Sequence, residues 1–141
     1  MEKAMKYGYV LILAIFLIVG LLIGYAVKQG DSKSIQVEIE NNGVTIMQNT
    51  YTLDDIVEVE LLDKVTLSGG AGFNSSNINN GRYKVNGDDF KSRVHIHRNV
   101  SPFIRLTTKD SVIVFNEDDP DKTKHIFDQL VELKDSSNMN K

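Results

Sequence analysis

The hydrophobic pattern divides the chain into a continuous apolar run and a series of short alternating segments. Residues 7–27 include no charged residue and no Asn, Gln, Ser, Thr or Pro. At about 1.5 Å per residue, a helix over this run is about 31 Å long, close to the hydrocarbon thickness of a bilayer. Because unpaired backbone amides are costly in lipid, the run predicts one transmembrane helix.

The polar segments around the run define a short flank, residues 1–6, and a linker, residues 28–34. A cleaved signal peptide is one alternative interpretation, with the flank as its charged start and Gly24-Tyr25-Ala26 as the cleavage candidate. A buried core helix is the other. The apolar stretch is long for a signal peptide, and no polar region precedes the candidate cleavage position. The pattern therefore favours a retained anchor over cleavage.

Basic residues on the two sides of the run leave the orientation in the membrane open. Lys3 and Lys6 precede the run, and Lys28 and Lys33 follow it, so the lysine and arginine bias is nearly balanced. The free amino terminus favours a cytoplasmic start and a soluble domain outside. We expect a single-pass protein of the cell membrane, with the side of its soluble domain unresolved.

Two glycines in the run are four residues apart, a spacing that lets membrane helices approach closely. Gly20 and Gly24 are candidates for a helix–helix contact, through which the chain could form a homo-oligomer or join a larger membrane complex. Glycine is common in membrane helices, so chance spacing is the alternative.

After the linker, short segments of alternating or β-type residues predict seven antiparallel strands. Asn41-Asn42-Gly43 supplies a tight turn between the first two, and the Gly-, Asn- and Ser-rich stretch Gly69–Gly81 predicts a mobile loop. The seven segments are Ile35–Glu40, Val44–Tyr51, Val57–Leu61, Arg82–Val85, Arg93–His97, Phe103–Thr107 and Val112–Asn116.

One amphipathic helix is predicted at the end of the domain. Asp119 is a candidate N-cap, Pro120 suits the first helical position, and apolar residues follow at helical spacing up to Lys134. Residues 135–141 lack periodicity and predict a disordered tail. The fold class is therefore α+β, mainly β: a seven-stranded antiparallel barrel or sandwich over residues 35–134, capped by the helix.

Three stretches carry a resemblance to a known family: YTLDDIVEVELLD (Tyr51–Asp63), RYKVNG (Arg82–Gly87) and SPFIRLTTKDSVIVFNEDDPDKTKHIFDQL (Ser101–Leu130). Their order over residues 35–134 resembles a pleckstrin-homology (PH)-like domain of the bacterial membrane-associated type. The resemblance implies a module that binds lipids, peptides or proteins, or only assembles. The first hairpin loop, Asn41–Gly43, has no basic residue, which departs from the phosphoinositide-binding members.

Charge is segregated along the soluble part although the formal net charge of the chain is only −3. From Ser34 to Asp63 the charged residues are all acidic, and strand alternation turns Glu38, Glu40, Glu58 and Glu60 outward. A second, mainly basic block follows from Gly81 to Lys109. Its alternation predicts one basic interaction face formed by Arg82, Lys84, Arg93, His95, His97 and Arg105.

Such a face would dock on an acidic protein or peptide, or on anionic lipid headgroups. An ordinary solvated sheet with cross-strand charge pairs is the alternative. Aromatic residues do not alternate with the basic ones as a base-stacking platform requires, so no nucleic-acid partner is expected.

Residues that would carry chemistry are few. The chain has no cysteine, and no nucleophile, phosphate-loop or metalloprotease motif is present. His95 and His97 share a strand face and could chelate zinc, but the sequence shows no obvious third ligand. We therefore expect an interaction or scaffolding module without a cofactor, and not an enzyme. The alternatives are a structural subunit of a membrane complex and an exported metal-dependent enzyme using the two histidines.

Overall fold

The computed structural model of the chain describes residues 14–23 and 35–139. By its backbone contacts the chain divides into two compact units, Met1–Lys33 and Ser34–Lys141. In the first unit, residues 14–23 are helical, and every one of them is exposed.

The predicted transmembrane span, residues 7–27, is described only in this central part. Residues 7–13 and 24–27 lie outside the described residues, as do the predicted flank, residues 1–6, and most of the predicted linker, residues 28–34. Among the helices that the structure describes, none has both the length and the apolar character needed to span a bilayer.

The second unit begins with a three-stranded antiparallel sheet in the order β1-β2-β3. Its strands are β1 (Val37–Glu40), β2 (Gly43–Ile46) and β3 (Asn49–Thr52). The predicted turn at Asn41-Asn42-Gly43 is confirmed, because Glu40 pairs with Gly43. The predicted second strand is instead two strands, since Met47 takes a positive φ of 58° and reverses the chain.

Six further strands form the main sheet, in the order β4-β8-β9-β7-β6-β5. Between the two sheets along the chain lies a 3-10 helix, Leu53–Asp55. The strands are β4 (Ile56–Leu62), β5 (Leu67–Asn74), β6 (Ile78–Val85), β7 (Ser92–His97), β8 (Phe103–Thr108) and β9 (Val112–Phe115). The described residues thus contain nine strands in place of the seven predicted.

The centre of the main sheet also corrects the prediction of a purely antiparallel fold. Strand β9 lies between β7 and β8, pairing parallel with β7 and antiparallel with β8. The chain must therefore cross from β7 to β8 past the end of β9. The buried side chain of Asn116 holds this crossing: it accepts a hydrogen bond from the His97 N–H and donates to the carbonyls of His97 and Val100.

The predicted mobile loop Gly69–Gly81 is wrong, because most of it is the β5–β6 hairpin. The two backbones approach so closely that glycine is needed on both strands. A Cβ built on Gly81 would lie 2.5 Å from the Ala71 carbonyl oxygen and 2.6 Å from the Gly72 Cα. Glycine in this stretch therefore serves close strand packing.

The C-terminal helix runs over Pro120–Met139. Its predicted start is confirmed, since the Asp119 carboxylate accepts the N–H of Asp121 and caps the first turn. Its predicted end at Lys134 is wrong, and residues 135–139 of the predicted tail are helical; residues 140–141 lie outside the described residues.

Side chains at the centre of the main sheet are buried on both of its faces. On the first face, Ile104, Leu106 and Phe115 pack with residues of the three-stranded sheet and with Leu130 of the helix. On the second face, Val94, Ile96 and Val114 pack with Tyr83, Val85 and Phe103 and with the partly buried side chains Leu62, Val65 and Leu67. The fold is thus mixed α+β, mainly β, with two sheets and one C-terminal helix in its second unit.

Candidate functional site

The strand register shows which side of the main sheet each predicted basic residue occupies. Arg82 of β6 lies opposite Arg93 of β7, and Arg93 pairs with Ile113 of β9, so their side chains project from the first face. Alternation along each strand adds Lys84, His95 and His97 to that face. Five of the six residues predicted to form one basic face therefore share it.

Arg105 is the exception, and its predicted place on the basic face is wrong. It pairs with Val114, whose side chain lies on the second face. There the guanidinium binds Asp88 at 2.9 Å and Glu60 at 3.6 Å, with the Phe90 ring centre 5.9 Å away. Two carboxylates neutralise its charge, so Arg105 has a structural role in this sheet.

A recess at one end of the main sheet gathers basic residues from three parts of the chain. Arg82 comes from β6, Lys91 and Arg93 from the end of the β6–β7 connection and the start of β7, and Lys109 from the turn between β8 and β9. Its volume is about 510 Å³. This basic recess is lined by Arg82, Phe90, Lys91, Arg93, Thr108, Lys109, Asp110, Ser111 and Val112.

Hydrogen bonds fix the far wall of the basic recess. The Thr108 hydroxyl donates to the Ser111 carbonyl at 2.9 Å and accepts the Ser111 N–H at 3.0 Å, which closes the turn between β8 and β9. The Lys109 N–H donates to the Asp55 carbonyl at 3.0 Å. These bonds hold the turn in place on one side of the basic recess.

The four cations of the basic recess are held to different degrees. Arg93 donates from Nη1 to the Asn49 side chain at 2.9 Å, and Lys109 lies 3.4 Å from an Asp55 carboxylate oxygen. Hydrogen bonds from Thr52 and then from Lys109 hold the pKa of Asp55 below its ordinary value. Within the described ranges Arg82 and Lys91 form no ion pair. These two charges are the ones available to a ligand.

The two predicted histidines, His95 and His97, lie further along the first face. Burial, and then the charge of Arg93, lower the pKa of His95. Burial also lowers the pKa of His97, although the Asp118 carboxylate opposes the shift. In the part of the chain that the structure describes, no group of three His, Cys, Asp or Glu residues is placed to hold a metal ion. Burial therefore disfavours the charged form of both imidazoles.

A second recess opens on the second face, with a volume of about 490 Å³. Its apolar side chains include Leu67, Ile96 and Phe103, and Tyr83 donates its hydroxyl proton to the Asn74 side chain at 2.9 Å. We call it the amide recess because its polar lining is mainly asparagine: Asn74, Asn79 and Asn99, with Arg98.

Of the two glycines predicted to form a helix–helix contact, the structure describes one. A Cβ on Gly20 would meet nothing within 4 Å, whereas Gly24 lies outside the described residues. The surface at Gly20 is open.

Strand alternation alone missed Lys91 and Lys109, since both belong to connections and not to strands. The sequence offered one indication for Lys91, which lies two residues before Arg93. In an extended chain, side chains two residues apart project to the same side. Lys109 had no such signal, because its place depends on the non-consecutive pairing of β9 with β7.

Comparison of the chain with protein-family models, curated proteins and solved structures finds no match.

Proposed function

We propose that the chain is a membrane-anchored interaction module that binds an anionic partner in the basic recess. The observation that carries the proposal is the lining of that recess, where four cationic side chains meet a single carboxylate, Asp110. Arg82 and Lys91 lack an ion pair among the described residues, so an incoming anion need not displace a carboxylate from them. The proposal assigns binding to the unit and no reaction.

The evidence for a membrane anchor comes from the first unit. Residues 14–23 are helical, uncharged and exposed around the whole circumference of the helix. Large apolar side chains such as Phe16, Leu17 and Leu21 are 61–73% exposed. A helix that is apolar on all sides belongs in a protein interior or in lipid, and the apolar run 7–27 of the sequence has the length that a bilayer span needs.

At the level of family, we propose a PH-like module of the bacterial membrane-associated type. Two sheets followed by one C-terminal helix support this interpretation. The parallel pairing of β7 with β9 departs from the pattern on which the resemblance was based.

The test measures binding of a hexaglutamate peptide to the full-length chain held in nanodiscs of zwitterionic lipid. We compare the wild type with the double variant Arg82→Gln/Lys91→Gln. Each lost cation removes about 1 kcal/mol, so the pair should weaken binding about thirtyfold. Arg93 is left in place because it also holds Asn49 of β3.

The matched control is Lys124→Gln on the exposed side of the C-terminal helix, which removes a cation away from the basic recess and should leave the affinity unchanged. A parallel experiment measures binding of the same variants to vesicles containing phosphatidylserine. Comparing the two affinities shows whether the recess prefers an anionic lipid surface or an acidic peptide. Equal binding of both probes by the wild type and the double variant would contradict the proposal.

A second function, as a structural subunit of a membrane complex, is favoured by the open surface at Gly20. Replacing Gly20 with Leu would fill the space through which another helix could approach. In blue-native gels a complex held by this contact should dissociate, whereas an anchored monomer should migrate unchanged.

A further inference from the structure

Strand β5 forms a free edge of the main sheet, whereas the opposite edge is covered. At the covered edge, the Lys134 side chain of the C-terminal helix donates to the Val57 carbonyl of β4. Leu130 of the same helix packs in the core beside Ile56. At the other edge, β5 pairs only with β6 among the described strands.

The sequence of β5 lacks most features that protect natural sheet edges. Its 8 residues contain no charge and no proline, and Phe73 is 58% exposed. A bulge between Ser68 and Ala71 interrupts the first half of the strand, where Gly69 has a positive φ of 56°. The second half, Ala71–Asn74, pairs regularly with β6 and leaves one edge unpaired.

The amide recess lies beside this edge, since Gly70 and Asn74 of β5 help to line it. Asn79 and Asn99 make no side-chain hydrogen bond with the described residues, so their amides can donate to and accept from a bound chain. Arg98 is the one charged residue of the lining. A carboxylate is the charge that complements it.

We propose that the edge of β5 at Ala71–Asn74 pairs with an extended segment of a protein partner, and that an acidic side chain of this segment meets Arg98 at the amide recess. Backbone hydrogen bonds along the strand provide affinity, and the recess provides selectivity. This surface is separate from the basic recess, and the inference does not depend on the function proposed for it.

Peptides that bind the full-length chain in detergent are selected from a randomised display library. The library peptides have 8 residues, the length of β5. The best binder is then synthesised for titration. We expect it to contain Asp or Glu, and we expect both Arg98→Gln and Phe73→Lys to weaken its binding about tenfold or more. Lys124→Gln serves as the matched control and should bind as the wild type does.

A second measurement distinguishes strand pairing from side-chain docking. N-methylation of alternate residues of the peptide removes the donors along one of its edges, and in one of the two registers it should abolish binding. Thermal unfolding of Arg98→Gln and Phe73→Lys checks that both variants remain folded. If Arg98→Gln does not fold, the comparison uses Phe73→Lys alone.

Three results would overturn the inference. The library could yield no peptide that prefers the wild type to Phe73→Lys. The selected peptide could bind equally in both N-methylated forms. Light scattering could show a dimer of the wild type that Phe73→Lys converts to a monomer, which would make a second copy of the chain the occupant of the edge.

Discussion

Asn116 shows how much a single buried amide contributes to this fold. Its side chain is fully buried and satisfies the N–H and C=O of His97 and the carbonyl of Val100. These groups belong to the segment that crosses from β7 to β8 past β9. A backbone crossing of this kind leaves polar groups without strand partners, and Asn116 supplies the partners.

Replacing Asn116 with Ala should therefore destabilise the second unit strongly. The change leaves one donor and two acceptors unpaired in a buried place, at about 1–3 kcal/mol for each group that water cannot reach. We expect a clear fall in the midpoint of urea unfolding. Asn138→Ala, at an exposed position of the C-terminal helix, is the matched control and should shift the midpoint little.

The two partly buried histidines, His95 and His97, predict how stability depends on pH. Burial lowers the pKa of both His95 and His97 in the folded chain. The unfolded chain therefore takes up protons first as the pH falls below about 6.5, and the free energy of unfolding decreases from there down through the folded pKa values. Above that pH this contribution to stability is fully present.

The double variant His95→Gln/His97→Gln should show a shallower loss of stability between pH 7 and acidic pH, as measured by urea unfolding at a series of pH values. His125→Gln, at an exposed position of the helix, should keep the wild-type profile. If the double variant and the wild type have the same profile, burial of the imidazoles is not the cause.

Among the elements, the β5–β6 hairpin depends most on the size of its side chains. Gly72 lies directly opposite Gly81. A Cβ added to Gly72 would lie 2.5 Å from the Gly81 Cα. This contact is with backbone, which cannot move away as a flexible side chain can. The hairpin must therefore open locally if either glycine is replaced.

We expect Gly72→Ala to destabilise the second unit by about 1–3 kcal/mol, the usual cost of overpacking. Ser68→Ala on the same strand removes an exposed hydroxyl and should change stability little. Thermal unfolding followed by circular dichroism compares the two. An unchanged melting temperature for Gly72→Ala would contradict the close approach of the two strands at Gly72 and Gly81.

Sequence patterns predicted elements better than they predicted the arrangement of elements. Alternation and turn residues correctly located the first hairpin and the start of the helix at Pro120, because both depend on neighbours along the chain. The glycine-rich β5 was missed, since glycine signals a loop unless the facing strand is known. Arg105 was predicted on the wrong face. Alternation shows which residues of one strand lie on opposite faces, but it does not show which face of that strand matches a given face of the neighbouring strand.

At the scale of the whole molecule, the main sheet is buried on both faces at its centre and carries a recess on each face. The basic recess takes its cations from β6, from β7 and the residue before it, and from the β8–β9 turn. The parallel insertion of β9 between β7 and β8 brings these parts of the chain together. The site is thus a product of topology more than of any local motif.

The proposed anchor predicts how the full-length chain behaves in cell membranes. It should remain in the pellet after alkaline carbonate extraction, since an apolar span is held by lipid and not by charge. A matched variant with Leu17→Lys and Leu21→Lys, which places two charges in the middle of the run, should be released. Release of the wild type by carbonate would contradict the anchor.

The most direct test of the central claim locates the bound anion. Amide resonances of the full-length chain are followed by NMR while hexaglutamate is added. We expect shifts concentrated at the basic recess, at Arg82, Lys91, Arg93 and the Lys109–Val112 segment, with Arg105 and the amide recess unaffected. Shifts centred on any other surface, or none at a concentration where the peptide binds, would contradict it.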